Sequence, residues 1–216
     1  AIIHYEAEPR TNVQLKSEGF LLVDSGGQYD DGTTDITRTI ALGPLSEKMK
    51  RCYTAVLKAH IALATSVFDA ETTGAELDAA ARKPLHEEGL DYKHGTGHGV
   101  GHMLSVHEGP NTISPKGKNS RIMPGMITSN EPGVYIENEF GIRLENEILC
   151  NGREDGKYEF ETITFCPFER EAVLAELLTQ KERAWLNAYH ARVFDTLKPL
   201  LNAEELNWLK AATAEI

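Results

Sequence analysis

The chain has 216 residues, 41% hydrophobic and 25% charged, which suits one large domain, or one domain with a small appendage, that can bury a core. Its net charge of −11 argues against nucleic acid or an anionic membrane as partner, and no apolar run approaches the length of a membrane span. The three cysteines, Cys52, Cys150 and Cys166, are odd in number and lack metal spacing; with no signal-peptide pattern they read as reduced thiols of a cytoplasmic protein.

Ala1-Ile2-Ile3-His4-Tyr5 lacks an initiator methionine and reads like the middle of a strand, so the expectation is a processed or truncated end. Phe20-Leu21-Leu22-Val23 is an apolar strand-type run ending at Asp24, and Ile36-Thr37-Arg38-Thr39-Ile40 is an alternating β-branched strand that follows Asp35. Asp30-Asp31-Gly32 between them carries turn chemistry, so the pattern predicts a hairpin that brings Asp24 and Asp35 together. Two carboxylates held that close need a shared proton or a cation; alone, the stretch reads more readily as a solvated acidic hairpin, since such hairpins are common.

Pro44 breaks the strand pattern and Ser46 can cap a helix. From Met49 the apolar spacing at Tyr53, Val56, Leu57, His60, Ala64 and Val67 predicts about six helical turns. Thr73-Gly74-Ala75-Glu76 has the form of a capping box and opens a second helix to Glu88, stopped by Gly89. Next comes His94-Gly95-Thr96-Gly97-His98-Gly99-Val100-Gly101-His102, then His107-Glu108-Gly109-Pro110, so that four of the 8 histidines fall between positions 94 and 107. Glycine spacing lets backbone and imidazole approach a ligand closely, and it is too helix-poor for a helical zinc motif. Residues 111–125 read as a surface loop. Met126 to Tyr135 and Ile142 to Leu149 then repeat the first hairpin in loose outline, with Glu131 and Glu145 in the places of Asp24 and Asp35. From Glu171 onward the pattern is helical, with capping boxes at Thr179-Gln180-Lys181-Glu182 and Asn202-Ala203-Glu204-Glu205.

Asp24, Asp35, His98, Glu131 and Glu145 together form a candidate two-metal set, with Asp35 and Glu145, each on a returning strand, as the candidates to bridge. Two divalent ions about 3.5–4 Å apart can hold and activate a hydroxide and polarise a carbonyl. The oxygen-rich set favours manganese, with zinc or cobalt as alternatives. A nearby carboxylate can take and return a proton, and neighbouring histidines can bind substrate and stabilise an oxyanion.

At these residues a resemblance becomes specific. Asp24, Thr34-Asp35-Ile36-Thr37-Arg38-Thr39, the His98 region, Asn130-Glu131-Pro132-Gly133 and Arg143-Leu144-Glu145-Asn146 resemble the five-ligand pattern of the pita-bread metallopeptidases. His94-Gly95-Thr96-Gly97-His98-Gly99-Val100-Gly101 with Val106-His107-Glu108-Gly109-Pro110 is most similar to the aminopeptidase P branch in its longer cytosolic form. The resemblance runs from His4 to about Phe165. It implies an α+β pita-bread fold, an antiparallel sheet covered by helices: a catalytic domain over 1–165, truncated at its N-terminus, and a helical C-terminal extension over 166–216. It also implies roles. Asp24 binds one metal, Asp35 and Glu145 bridge, and His98 and Glu131 complete the second, with Glu131 also accepting the proton of the nucleophilic water. His94 and His107 position substrate and stabilise the tetrahedral intermediate, His4 lies on the substrate side, and Arg143 supports the metal site. His102 receives no role and is treated as structural.

The implied activity is release of the N-terminal residue from peptides with proline second. The implied setting is a cytoplasmic enzyme, homodimeric at full length, with no nucleic acid or membrane partner. The alternatives are a prolidase restricted to dipeptides and a catalytically inactive pita-bread module used for binding. Members of the branch carry N-terminal domains absent from this sequence, so this fragment is itself expected to be weakly active or inactive.

Overall fold

The computed structural model describes residues 5, 8–103 and 105–216. His4 and the expected opening strand up to it lie outside the described residues. The architecture is α+β, as expected, with every strand pair antiparallel.

β1 (Phe20–Tyr29) and β2 (Gly32–Ala41) form the expected hairpin, turning through Asp30 and Asp31. The register sets Asp24 opposite Thr37 and Gly26 opposite Asp35. Side chains two apart on a strand share a face, so Asp24, Asp35 and Thr37 between them project to one side. That side faces the protein: Asp35, Thr37 and Thr39 are buried.

α1 (Glu47–Ala64) starts where Ser46 accepts the Met49 N–H, and its 18 residues make about five turns. It stops short of the expected end because Val67 belongs to β3 (Val67–Phe68) instead. α1 buries Tyr53, Val56, Leu57 and Ile61 against α2 (Gly74–Glu87) and the strands that follow, forming the centre of the larger core. Full burial of each such side chain contributes about 1.5–3 kcal/mol. The Thr73–Glu76 capping box is present at the start of α2, and Gly89, with a φ of 70°, turns the chain away after it.

Residues 111–125 differ from the surface loop expected. Within them β5 (Thr112–Ile113) pairs with β4 (Gly97–His98), and Ile113 and Ile122 lie in a second apolar core with Leu63, Leu77 and Ile148. The polar composition concealed two apolar anchors. Gly97 sits where the chain passes so close to Ser129 that a Cβ would strike its carbonyl oxygen.

The second expected hairpin is one ladder opened in the middle. β6 (Ile127–Asn130) pairs with β9 (Asn146–Gly152), and β7 (Gly133–Ile136) pairs with β8 (Phe140–Arg143). Between the two paired stretches lie Glu131-Pro132 and Leu144-Glu145. The Glu131 N–H donates to the Thr96 carbonyl at 2.8 Å, and the Glu145 N–H to the Thr37 carbonyl at 3.0 Å. Both amides therefore leave the ladder for other segments, and Pro132 has none to give. β10 (Tyr158–Thr162) completes a four-stranded sheet in the order β3-β10-β9-β6.

The tail begins with two 3-10 turns, Arg170–Ala172 and Ala175–Leu177, rather than with continuous helix from Glu171. α3 (Gln180–Leu197) and α4 (Ala203–Ala212) then start at the expected capping boxes. Cys52 and Cys150 are buried, Cys166 is half-buried, and all three are free thiols. Among the described residues no helix is long and apolar enough to cross a membrane.

His60, fully buried on α1, holds the opened ladder from behind. Its Nδ1 donates to the Leu144 carbonyl at 3.2 Å, its Nε2 accepts from Asn146, and its carbonyl accepts from the Asn130 side chain at 3.0 Å. Burial, reinforced by the charge of Arg38, lowers its pKa to about 3. An unfolded chain protonates this imidazole near pH 6.5, so the stability it contributes is present above that value and lost as pH falls. His60→Gln is expected to cost about 1–3 kcal/mol at pH 7. The gap from the parent protein is expected to narrow by about 2 kcal/mol at pH 5. Urea unfolding at the two pH values measures this, and a pH-independent gap would contradict the neutral, clamped imidazole.

Candidate metal centre

A cavity of about 820 Å³ opens over the hairpin, and Asp24, Asp35, His94, His98, His107, Glu131, Arg143 and Glu145 all line it. Every described residue expected at the site is therefore on this wall; His4 is outside the described residues. His102 is exposed and does not line the cavity, and its carbonyl accepts from the Thr33 hydroxyl.

Three groups of ligand atoms lie within 4.8 Å of one another: Asp24, Asp35 and Glu145; His98, Glu131 and Glu145; and Asp35, His98 and His107. Asp35 and Glu145 each belong to two groups, which is the geometry a bridging carboxylate needs. The residues fit a pair of divalent cations on chemical grounds: hard carboxylate oxygens dominate, and Asp35 and Glu145 are only 8% and 2% exposed. Carboxylates packed together away from water need a cation or protons. Burial, with Asp35 and Glu131 nearby, holds the Glu145 pKa well above the usual carboxylate range, and burial raises Glu131 as well.

The protein supplies part of the compensation. Arg143, at the end of β8, donates from Nη2 to Asp24 at 2.7 Å, from Nε to Thr37 at 3.1 Å and from Nη1 to Tyr135 at 3.0 Å. Thr37 passes its own hydroxyl proton to Glu145 at 2.6 Å, and Ser129 does the same for Glu131 at 3.0 Å.

His98 is set up to ligate through Nε2. Its Nδ1 donates to the Gly99 carbonyl at 2.9 Å, which leaves Nε2 facing Asp35 at 3.4 Å and Glu131 at 3.5 Å. Burial alone would lower its pKa, but the bond to Asp35, the Gly99 carbonyl and the charge of Glu131 outweigh it and raise the value to about 9. Ligation at neutral pH therefore displaces a proton. The His107 ring stands edge-on to that of His98, with centroids 4.1 Å apart. His94 donates from Nδ1 to the Gly95 carbonyl at 2.7 Å, and its Nε2 meets the Tyr135 hydroxyl at 2.8 Å, which in turn takes a bond from Arg143.

Sequence reasoning missed four supports. Tyr135 links Arg143 to His94, and Thr37 and Ser129 brace the two glutamates. Glu147 accepts the Asp35 N–H at 2.8 Å, and burial pushes its own pKa up to about 7. Alternation along the strands offered a signal: Thr37 lies two positions after Asp35, Ser129 two before Glu131, and Glu147 two after Glu145.

Thr37→Val keeps the shape and removes a hydroxyl that meets both Glu145 and Arg143. In the full-length protein it is expected to weaken divalent-cation binding by about 10–100-fold. Calorimetric titration with manganese measures the change, with an unaltered unfolding midpoint as control. An unchanged affinity would show that Thr37 is a spectator.

Comparison with known proteins agrees with this geometry. Residues 1–151 match metallopeptidase family M24, and residues 156–216 match the C-terminal region of peptidase M24. Aminopeptidase P1 of Arabidopsis thaliana is 45% identical over 100% of this chain and 35% of that protein; Aminopeptidase P1 of Lotus japonicus is 47% identical over 100% of this chain and 34% of its own length. The chain thus spans about a third of these relatives. Among solved structures, X-prolyl aminopeptidase from Caenorhabditis elegans, a cytosolic enzyme with a di-nuclear active site, superposes with a TM-score of 0.92 at 36% identity, covering 99% of this chain and 36% of that one. Prolidase from Pyrococcus furiosus superposes with a TM-score of 0.58 at 31% identity, covering 66% of this chain and 40% of that one. The architecture is accordingly the pita-bread fold with a helical C-terminal extension, and sequence and structure both match the aminopeptidase P branch. The chain belongs to metallopeptidase family M24.

Proposed function

We propose that this chain carries the catalytic site of a metal-dependent aminopeptidase that removes the N-terminal residue from peptides with proline in second position. The observation that carries the reading is the cavity wall on which Asp35 and Glu145 each join two groups of potential ligands. The relatives named Aminopeptidase P1 and the X-prolyl aminopeptidase support the choice of substrate. Asp24 would hold one cation and His98 and Glu131 the other, with Asp35 and Glu145 available to both. Manganese suits the oxygen-rich set best, with zinc or cobalt as substitutes. When bound, two such cations acidify a water at neutral pH and polarise the scissile carbonyl.

The chain's own groups do the rest. Glu131 takes the proton of the attacking water, while Arg143 holds Asp24 and, through Tyr135, His94. A proline-bound substrate has no amide proton at the scissile nitrogen, so that nitrogen must be protonated as it leaves, which an imidazole on the wall can do. His94 and His107 stand on the cavity wall, and we assign them the carbonyl oxygen and that nitrogen; substrate binding is likewise proposed for His4. We further propose the division of the chain at 165/166, a cytosolic location and a homodimeric full-length protein; the cytosolic C. elegans enzyme supports the location.

In the full-length protein, elemental analysis is expected to find two divalent ions per chain, and Ala-Pro-Ala is expected to be cleaved faster than Ala-Ala-Ala. Equal cleavage would make it a general aminopeptidase, cleavage of Ala-Pro alone a prolidase, and metal without turnover a binding module. His98→Ala is expected to lose one of the two metals while the fold survives. His107→Ala should retain both metals and lower kcat by about 10²–10⁴-fold with little change in KM. A raised KM with kcat intact would demote His107 to substrate binding.

A further inference from the structure

Beyond the acidic wall, the same cavity is lined by two lysines, Lys93 and Lys116, although the protein as a whole carries a net charge of −11. Among the described residues neither is ion-paired, whereas the nearby cations Arg82, Arg121 and Arg143 all are. Both sit on segments anchored to α2. Arg82, buried on that helix, donates to the Tyr92 carbonyl at 2.6 Å and the His94 carbonyl at 2.8 Å, gripping the chain on both sides of Lys93. Its guanidinium also lies over the Tyr92 ring, 3.8 Å from the centroid. Lys116 sits in the turn from Ser114 to Gly117, closed by a 2.8 Å bond, and the Gly117 carbonyl accepts the Ala75 N–H in the first turn of α2.

The β4–β5 register brings the two lysines to the same end of the cavity. Gly97 pairs with Ile113 and His98 with Thr112, and the Thr96 N–H donates to the Ile113 carbonyl, so the segments Lys93 to Thr96 and Ser114 to Lys116 leave the pairing at the same end. Both lysines thus lie on segments beyond the Gly97–Ile113 end of the pairing, whereas His98 lies within it. Lys93 and His98 are five positions apart, a span of at most about 18 Å. The two residues of a tripeptide after its first peptide bond extend about 7 Å, and an extended lysine side chain covers much of the remainder.

We propose that Lys93 and Lys116 form a subsite for a carboxylate on the leaving portion of the peptide, either the C-terminal carboxylate of a short substrate or an acidic side chain near its end. The inference rests on the peptidase reading above. It makes the cavity electrically polar: the cluster end takes the scissile bond and the lysine end takes the opposite charge of the departing fragment. Exposed charges of this kind set specificity through binding, so their effect belongs in KM and weakens with salt.

The test uses the full-length, metal-loaded enzyme and three peptides: Ala-Pro-Ala as free acid, Ala-Pro-Ala amide and Ala-Pro-Glu amide. The free acid is expected to exceed the alanyl amide by about five- to tenfold in kcat/KM, mostly through KM. The Lys93→Gln/Lys116→Gln double variant should bring that ratio close to one, the Arg/Arg variant should restore it, and 0.5 M salt should erode it. Lys118→Gln, on a lysine outside the cavity, serves as the control that keeps the ratio. Ala-Pro-Glu amide matching the free acid would identify any carboxylate as the ligand, and matching the alanyl amide would identify the C-terminal one. Equal cleavage of acid and amide by the unmodified enzyme, or a full ratio in the double variant, overturns the subsite alone. Cleavage of none of the three peptides overturns the peptidase reading and the subsite with it.

Discussion

Mutual repulsion among buried carboxylates is the constraint that the rest of this structure answers. Asp35, Glu131 and Glu145 line one wall beside the more exposed Asp24, with Glu147 behind them. Removed from water, such groups hold protons or counter-ions, and the raised pKa values of Glu131, Glu145 and Glu147 express that demand. Arg143, 2% exposed, supplies one fixed positive charge, and the hydroxyls of Thr37 and Ser129 supply directed protons. The set is left short of positive charge, and that shortage makes it a receptor for cations.

Holding the carboxylates together requires unusual backbone arrangements, each of which has a support. The ladder between β6–β9 and β7–β8 opens where Glu131 and Glu145 sit, and their amides cross to Thr96 and Thr37 instead. Three segments far apart in sequence are thereby locked to one another at the site. Arg38 secures the arrangement from the far side of β2. It donates to the carbonyls of Thr37, Glu145, Cys166 and Pro167 and to the Asn146 side chain, and it stacks on Phe168 at 4.4 Å. The start of the C-terminal segment is therefore tied directly to the backbone of a site residue, and His60 braces the same strands from α1.

The loose repeat between the two hairpins has a physical counterpart that is only partial. In the first, the ladder is unbroken from Phe20 to Ala41, and the carboxylates meet diagonally across it. In the second, the ladder is interrupted and the carboxylates occupy the gap. Similar spacing thus serves two local geometries, because Pro132 cannot donate to a ladder while every residue of β1 can.

What the amino-acid sequence determined by itself was local or strongly patterned. The hairpin, the starts of α1, α2, α3 and α4, and the glycine that ends α2 follow from capping residues, alternation and turn chemistry, which act over a few residues. The described ligand candidates were legible because their residue types are costly to bury without a purpose, so five of them at strand ends and glycine-rich loops stand out. Tertiary structure decided the rest. Ile113 and Ile122 became core because another part of the chain, around Leu63, Leu77 and Ile148, offered them an apolar surface, which no local window reveals. Val67 left the helix for β3 because Glu159 was there to pair with it. Thr37, Ser129, Tyr135 and Glu147 are ordinary strand residues in sequence. They became part of the site only when folding set them against Glu145, Glu131, His94 and Asp35, since a hydrogen bond exists only once both its partners are in place.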